Sequence, residues 1–145
     1  MVPRRTGTLT NVVKLPVYLE VTVPIVRPTD AVPFETHGSS FLSYVRPSTG
    51  SSQLCAWQLV VPADLQGVSH RPTREEVLLV LDGELQISLD GDRSAMHRGD
   101  AALVPANSEL RIDAGPKGAT AWVTTTAGLE AVTADGTRIT PPWAQ

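Results

Sequence analysis

The stretch that decides the fold is residues 69–83, SHRPTREEVLLVLDG. It places His70 and Glu76 at the start of an apolar run that closes at Gly83. A short continuous apolar run of this kind is typical of a strand covered on both faces. A histidine and a glutamate ahead of such a strand are typical of the start of a metal site. Pro72, however, stands between them and offers no side-chain donor.

Short strands divided by turns continue along the rest of the chain. The 12 prolines and 11 glycines are spread over 145 residues and leave hardly any helix signal. Strands are predicted over residues 41–45, 51–61, 76–81, 84–89, 101–105, 109–113 and 119–126. Asp90-Gly91 is a strong hairpin-turn signal. The tail, residues 140–145, is expected to be irregular, with Trp143 packed as a plug. Many short strands with regular turns predict an all-β sandwich or barrel.

The first part of the chain reads as a separate strand arm, residues 1–26, ahead of a domain at 27–145. Every odd position from Val13 to Ile25 is apolar, which predicts a strand with one buried face. Its internal prolines cannot donate to a ladder, so it should lie at a sheet edge. A long apolar edge invites pairing with another chain. We therefore expect a homodimer, with an arm that wraps its own domain as the alternative.

Composition and charge exclude several classes of partner. The net charge is -3 and the basic residues are scattered, whereas a nucleic-acid partner would need a basic stripe. Cys55 is the only cysteine, so no disulfide can form within the chain. Neither a signal-peptide core nor an apolar run of about 20 residues is present, so no membrane association is expected. We expect a soluble, cytoplasmic protein.

Several glycine, histidine, glutamate and proline positions resemble those of the cupins, which are double-stranded β-helix proteins. The first cupin motif carries two histidines one residue apart, then a glutamate and a glycine, matched here by His70, Glu76 and Gly83. The second runs from a glycine to a proline, matched by Gly99 and Pro105. The resemblance covers about residues 50–126, and the TREEV segment is similar to small single-domain bacterial cupins. It implies an all-β jelly-roll barrel.

The departures from the cupin motifs concern the metal ligands. In cupins, both histidines and the glutamate of the first motif, with a histidine of the second, bind a divalent metal. Here Pro72 and Leu110 occupy two of those positions, and Asn107 replaces a glycine. Only His70 and Glu76 keep a donor, whereas a catalytic metal site normally has three protein ligands. We therefore expect no cofactor, and a divalent metal is disfavoured.

The surviving histidine and glutamate suggest acid–base chemistry. The resemblance puts Glu76 inside the barrel with Leu78 and Val80, and alternation then turns Glu75 outward. A carboxylate inside an apolar barrel must be paired or protonated, because its desolvation is costly. His70 is the expected partner. Such a pair titrates as a unit with an apparent pKa near neutrality, as a general acid–base pair requires.

Three apolar side chains, Leu78, Val80 and Leu110, are expected either to line a cavity or to fill it as core. The inward face of residues 54–60 is left open between two sets: Cys55, Trp57 and Leu59, or Leu54, Ala56, Gln58 and Val60. We favour the second set, because Gln58 would give the pocket one orienting polar group.

The sequence therefore predicts a cupin enzyme acting on a small, mostly apolar molecule. The reaction would be a metal-independent isomerisation, cyclisation or lyase reaction, with His70 and Glu76 as the catalytic groups. Leu78, Val80, Leu110 and Gln58 would bind the substrate. One alternative is a metal-dependent oxygenase or hydrolase with an incomplete ligand set. The other is a non-catalytic module that binds a small ligand.

Overall fold

A computed structural model of the chain describes residues 23–145. Its strands are β1 (Val32–Thr36), β2 (Ser39–Val45), β3 (Leu54–Val61), β4 (His70–Pro72), β5 (Glu76–Leu89), β6 (Asp92–His97), β7 (Ala101–Val104), β8 (Leu110–Thr126), β9 (Ala131–Thr133) and β10 (Arg138–Ile139). Two short 3-10 helices, Pro47–Thr49 and Pro142–Ala144, complete the described part of the chain. The all-β prediction is confirmed. No helix among these residues has the length and apolar character of a membrane span.

The predicted N-terminal arm lies mostly outside the described residues. Of its range, only residues 23–26 belong to the described part, and they form no strand there. Val23 and Ile25, predicted to alternate into a buried face, are 75% and 57% exposed. The arm and the dimer that depends on it therefore stay predictions.

Two long strands replace four of the predicted short ones. β5 joins the predicted 76–81 and 84–89 segments, and β8 joins 109–113 and 119–126. The strands pair along their length, with register shifts in β5 between Val80 and Asp82 and again beyond Gly83. A β-bulge bends a strand without ending it. Because both strands bend, the sheet order β1-β2-β3-β8-β4-β9-β10 curls into the jelly-roll barrel, with β6 and β7 pairing on the far edge of β5.

Gly83, the last residue of the deciding stretch, lies in β5 opposite Ala119 of β8. Its φ is +79°, a value that L side chains rarely adopt. A Cβ atom at this position would lie 2.2 Å from the carbonyl oxygen of Gly118. A glycine is therefore required here both by the backbone conformation and by the approach of the neighbouring strand.

The interior is built from rows of side chains that cross β3, β8 and β5. Trp57 is paired with Val123, which is paired with Leu78, and all three are at most 3% exposed. The next inward row contains Leu59 and Val80. These rows form the core on which the cavity described below opens.

The favoured inward face of residues 54–60 is wrong. Leu54 and Val60 are 53% and 39% exposed, and Gln58 lies opposite Trp122 on the outer side of the sheet. Both faces of β3 are rich in apolar residues, so its alternation does not identify the buried face. The pairing of β3 with β2 and β8 decides it, and it directs Trp57 and Leu59 inward.

The C-terminal tail folds back onto β2 and β3. The Ser43 hydroxyl donates to the Trp143 carbonyl over 2.7 Å, and the Ser48 hydroxyl donates to the Gln145 carbonyl over 2.6 Å. The Trp143 ring stacks on Phe41, with centroids 3.8 Å apart. The predicted plug is therefore present, held by backbone acceptors and by an aromatic stack.

Candidate active site

A cavity of about 390 Å³ opens inside the barrel. This volume lies within the range of small-molecule sites, about 300–1,000 Å³. Most of its wall is apolar, with a few carboxylates, imidazoles and hydroxyls. The residues that line it include Phe34, Glu35, His37, Phe41, Trp57, Leu59, Leu65, Gly67, Val68, His70, Pro72, Glu76, Leu78, Leu110, Val123, Glu130 and Trp143. The interior is therefore not filled by core side chains.

Glu76 brings a carboxyl group into this apolar wall. It is the first residue of β5, pairs with Val104 across the ladder and is only 8% exposed, whereas Glu75 beside it is exposed. Within the described residues its carboxyl group has no hydrogen-bond partner. Burial raises the pKa of Glu76 from its usual 4.5 to about 7, because the charged form loses its hydration. At neutral pH the group can therefore both accept and donate a proton.

His70 lines the same cavity from β4, where it pairs with Leu110. Its Nδ1 atom lies 3.0 Å from the carbonyl oxygen of Val68. A carbonyl can only accept, so the neutral ring carries its proton on Nδ1 and leaves a lone pair on Nε2. In the neutral ring, Nε2 is therefore the hydrogen-bond acceptor.

The predicted direct contact between His70 and Glu76 is absent. No hydrogen bond or ion pair joins them in the described part of the chain, and burial alone accounts for the raised pKa of Glu76. The ring is turned toward the backbone of Val68, a contact that the sequence spacing does not reveal. The two residues share a cavity as separate groups, with room between the walls for a ligand.

The four residues predicted to bind substrate divide between the cavity and its surroundings. Leu78 and Leu110 line the cavity. Val80 is 1% exposed but belongs to the core beside it, and Gln58 faces the outer side of the sheet. Gln58 therefore cannot orient a ligand in this cavity, because the inward residue of its strand is Trp57.

Asp113 lies outside the cavity but holds one of its lining residues, Gly67, in place. Its carboxylate accepts hydrogen bonds from the Gly67 backbone N–H, at 2.8 Å, and from Arg93 and Arg111, at 2.8 and 2.9 Å. Burial opposes the charge, yet the bonds from Arg93, Arg111 and Gly67 outweigh it and hold the pKa of Asp113 below its usual value. The carboxylate thereby ties the segment before His70 to β8.

Aromatic side chains form a part of the wall that the sequence patterns do not predict. Phe34 and Phe41 face each other across β1 and β2, and Trp143 packs between Phe41 and Trp57. These residues come from three distant parts of the chain. The sequence predicts an inward position for Trp143, and for Trp57 only in the less favoured of the two sets, and no local pattern indicates that these rings meet.

The residues present do not fit a resident divalent cation. Pro72 and Leu110, at most 2% exposed, supply apolar groups at two of the four positions where the cupin motifs place ligands. Residues 23–145 contain no group of three His, Cys, Asp or Glu side chains placed to hold a metal ion. His70 and Glu76 alone leave such an ion short of protein ligands.

Comparison with known proteins identifies the fold. The family model described as the cupin domain matches residues 56–125. No curated protein sequence matches the chain. An RmlC-like cupin from Shewanella frigidimarina superposes with a TM-score of 0.63 at 17% identity, covering 72% of this chain and 91% of that one. The polyketide cyclase RemF from Streptomyces resistomycificus gives 0.65 at 16% identity, covering 72% and 80%.

A larger enzyme contains a similar domain. Salicylate 1,2-dioxygenase from Pseudaminobacter salicylatoxidans superposes with a TM-score of 0.57 at 18% identity, covering 62% of this chain but only 26% of the dioxygenase. At these identities the likeness concerns the fold. Together with the match to the cupin domain, it shows that residues 56–125 form a cupin domain and that the chain has the cupin fold.

Proposed function

We propose that this chain is a metal-independent enzyme that moves a proton on a small, mostly apolar molecule, in an isomerisation, cyclisation or lyase reaction. The observation that carries the proposal is the Glu76 carboxyl group, buried in an apolar cavity large enough for a ligand. A general acid or base works best when its pKa lies near the operating pH. Burial brings the pKa of Glu76 to about 7.

The chemistry requires a substrate with an acidified C–H bond. A carboxylate is a weak base, so it can remove a proton from carbon only where a neighbouring carbonyl group stabilises the resulting enolate. Glu76 takes this proton and, once protonated, returns it to another atom of the same substrate. The Nε2 lone pair of His70 accepts a hydrogen bond or proton from a substrate hydroxyl group. Both groups line the cavity in which the substrate would lie.

A likeness of fold agrees with this class of reaction. RemF, which shares the fold at low identity, is a polyketide cyclase. Cyclisation through a carbon nucleophile involves removal of a proton from carbon, which is the step assigned to Glu76. Cupins host many functions, so this agreement adds to the argument from the cavity without replacing it.

The test is exchange of hydrogen at carbon. Acetophenone and methyl naphthyl ketone are incubated with the protein in deuterium oxide, and loss of the proton signal next to the carbonyl is followed by NMR. The wild-type protein should accelerate exchange above the buffer rate. Glu76→Gln should abolish the acceleration, and Glu75→Gln, which changes the exposed neighbour, should leave it unchanged.

Three outcomes would contradict the proposal. Binding of the ketones with no exchange above the buffer rate would indicate a non-catalytic ligand-binding module. Near-stoichiometric iron, nickel, manganese or zinc in protein purified without chelators, together with loss of exchange on its removal, would indicate the metal-dependent alternative. Exchange that survives in Glu76→Gln would remove Glu76 from its role.

A further inference from the structure

The few large aromatic residues of the chain are concentrated at the cavity. The sequence contains two phenylalanines and three tryptophans. Both phenylalanines, Phe34 and Phe41, and two tryptophans, Trp57 and Trp143, line the cavity. The third, Trp122, packs against Tyr44 outside it. One wall is therefore much richer in ring surface than the chain as a whole.

The rings are arranged as a connected cluster. Trp143 stacks on Phe41 with centroids 3.8 Å apart and planes 16° apart. Trp57 meets Trp143 edge to face at 6.3 Å and 68°. Aromatic pairs favour these offset-stacked and edge-on geometries. A planar ring entering the cavity can extend the same packing, whereas a puckered saturated ring presents no matching face.

The cavity wall carries three carboxyl groups, and its basic side chains in the described part of the chain are the imidazoles of His37 and His70. Glu35, Glu76 and Glu130 contribute carboxyl groups, and within the described residues neither lysine nor arginine lines the wall. Glu130 binds Arg138 at 3.1 Å, and Arg138 itself stands outside the wall. An anionic ligand would lose its hydration without gaining a lysine or arginine partner, and would meet the ionised form of Glu76. The cavity therefore disfavours carboxylates and phosphates.

From these observations we infer the substrate class: an uncharged, planar aromatic carbonyl compound whose ring packs against the cluster formed by Phe41, Trp57 and Trp143. The carbonyl part of this inference rests on the proposed function. The ring and the absence of charge rest on the cavity alone. Its volume of about 390 Å³ suits a compound of a few fused rings.

The test measures binding of three matched probes by isothermal titration calorimetry at a pH above the pKa of Glu76. Methyl naphthyl ketone is planar and uncharged, naphthoate replaces the ketone with a carboxylate, and methyl decalyl ketone replaces the aromatic rings with saturated ones. Methyl naphthyl ketone should bind at least about tenfold more tightly than naphthoate, because the carboxylate must be desolvated beside Glu76. It should also bind severalfold more tightly than the decalyl ketone.

Variants assign the preferences to their residues. Trp143→Ala should reduce the preference for the naphthyl over the decalyl ketone severalfold, whereas Trp122→Ala, outside the cavity, should leave it unchanged. Should Trp143→Ala fail to fold, Trp143→Leu serves instead, since it keeps an apolar plug without a ring. Glu76→Gln should reduce the discrimination against naphthoate.

The outcomes separate this inference from the proposed function. Equal or tighter binding of naphthoate, or no preference for the aromatic ketone, overturns the substrate class even if hydrogen exchange is observed. The expected order of affinities without any exchange supports the substrate class and contradicts the catalytic role. A preference that is unchanged in both Trp143 variants removes the aromatic cluster from recognition.

Discussion

The Nδ1 atom of His70 lies 3.0 Å from the carbonyl oxygen of Val68, and this contact with its own chain, rather than one with Glu76, orients the ring. The contact fixes the tautomer and leaves Nε2 as the basic atom. The two residues at the metal-ligand positions of the cupin motifs thus line the cavity as separate groups.

His70→Asn and His70→Gln test the roles of Nδ1 and Nε2 separately. Asparagine can place its amide N–H near the Nδ1 position, so it should keep the bond to Val68 and the stability within about 0.5 kcal/mol. It lacks an Nε2 equivalent, so hydrogen exchange of a hydroxyl-bearing ketone such as 2-hydroxyacetophenone should fall about 100-fold. Glutamine can place its amide group near the Nε2 position, but it loses the hydrogen bond to the Val68 carbonyl. Its free energy of unfolding, measured in urea, should therefore fall by about 1 kcal/mol. Wild-type exchange in His70→Asn would show that Nε2 takes no part.

Glu76 should make the protein less stable as the pH rises. Its pKa is about 7 in the folded chain against an ordinary value of 4.5, so the folded state binds the proton more tightly. The free energy of unfolding should therefore fall between about pH 4.5 and pH 7 and level off above, by about 3 kcal/mol at most. Urea unfolding across this range measures it.

Glu76→Gln should remove this pH dependence, because a neutral amide does not titrate. The variant should then be more stable than the wild type at pH 8 and close to it at pH 4. The matched control is Glu75→Gln, which changes an exposed carboxylate on the opposite face and should retain the wild-type slope. An unchanged slope in Glu76→Gln would show that Glu76 titrates normally in the folded protein.

Asp113 should stabilise the fold and shape the cavity wall at Gly67. Asp113→Ala leaves the Gly67 N–H and the guanidinium groups of Arg93 and Arg111 without their shared acceptor, so it should cost about 2–4 kcal/mol. Because its pKa is lowered, this stabilisation exists above the unfolded-state pKa and is lost as the pH falls through the folded-state value. The control Asp92→Ala, at an exposed position of β6, should change unfolding by less than about 0.5 kcal/mol.

Gly83→Ala should disrupt the crossing of β5 and β8. Gly83 and Gly91 have similar positive φ values, +79° and +92°, but a Cβ atom meets Gly118 only at Gly83. Gly91→Ala should therefore cost about 1 kcal/mol for its conformation alone. Gly83→Ala should cost several times as much, or prevent folding, because the backbone of β8 must move. Equal thermal shifts in the two variants would contradict the steric role of Gly83.

Local sequence patterns predicted features that depend on neighbouring residues alone, such as strands and turns. Alternation, apolar runs and turn signals predicted five of the ten strands in the described part of the chain, namely β2, β3, β5, β7 and β8. The Asp90-Gly91 turn is confirmed by positive φ values at both residues, 49° and 92°. The inward position of Glu76 followed from the cupin resemblance and from the parity of β5, and its burial agrees.

Other features depend on which strands become neighbours, and only the tertiary structure decided them. β3 carries apolar residues on both faces, so its pairing with β8 was needed to turn Trp57 inward and Gln58 outward. The His70 ring contacts Val68 because of its side-chain orientation, which spacing does not fix. The aromatic wall brings residues from both ends of the described chain together, although Phe41 and Trp143 lie far apart in sequence. The sequence by itself determined an all-β chain, because strand periodicity and turn conformation are local properties, and its resemblance to cupins implied the barrel and the buried acid. The shape and chemistry of the cavity belong to the tertiary structure, because they arise from contacts between segments that no local pattern relates.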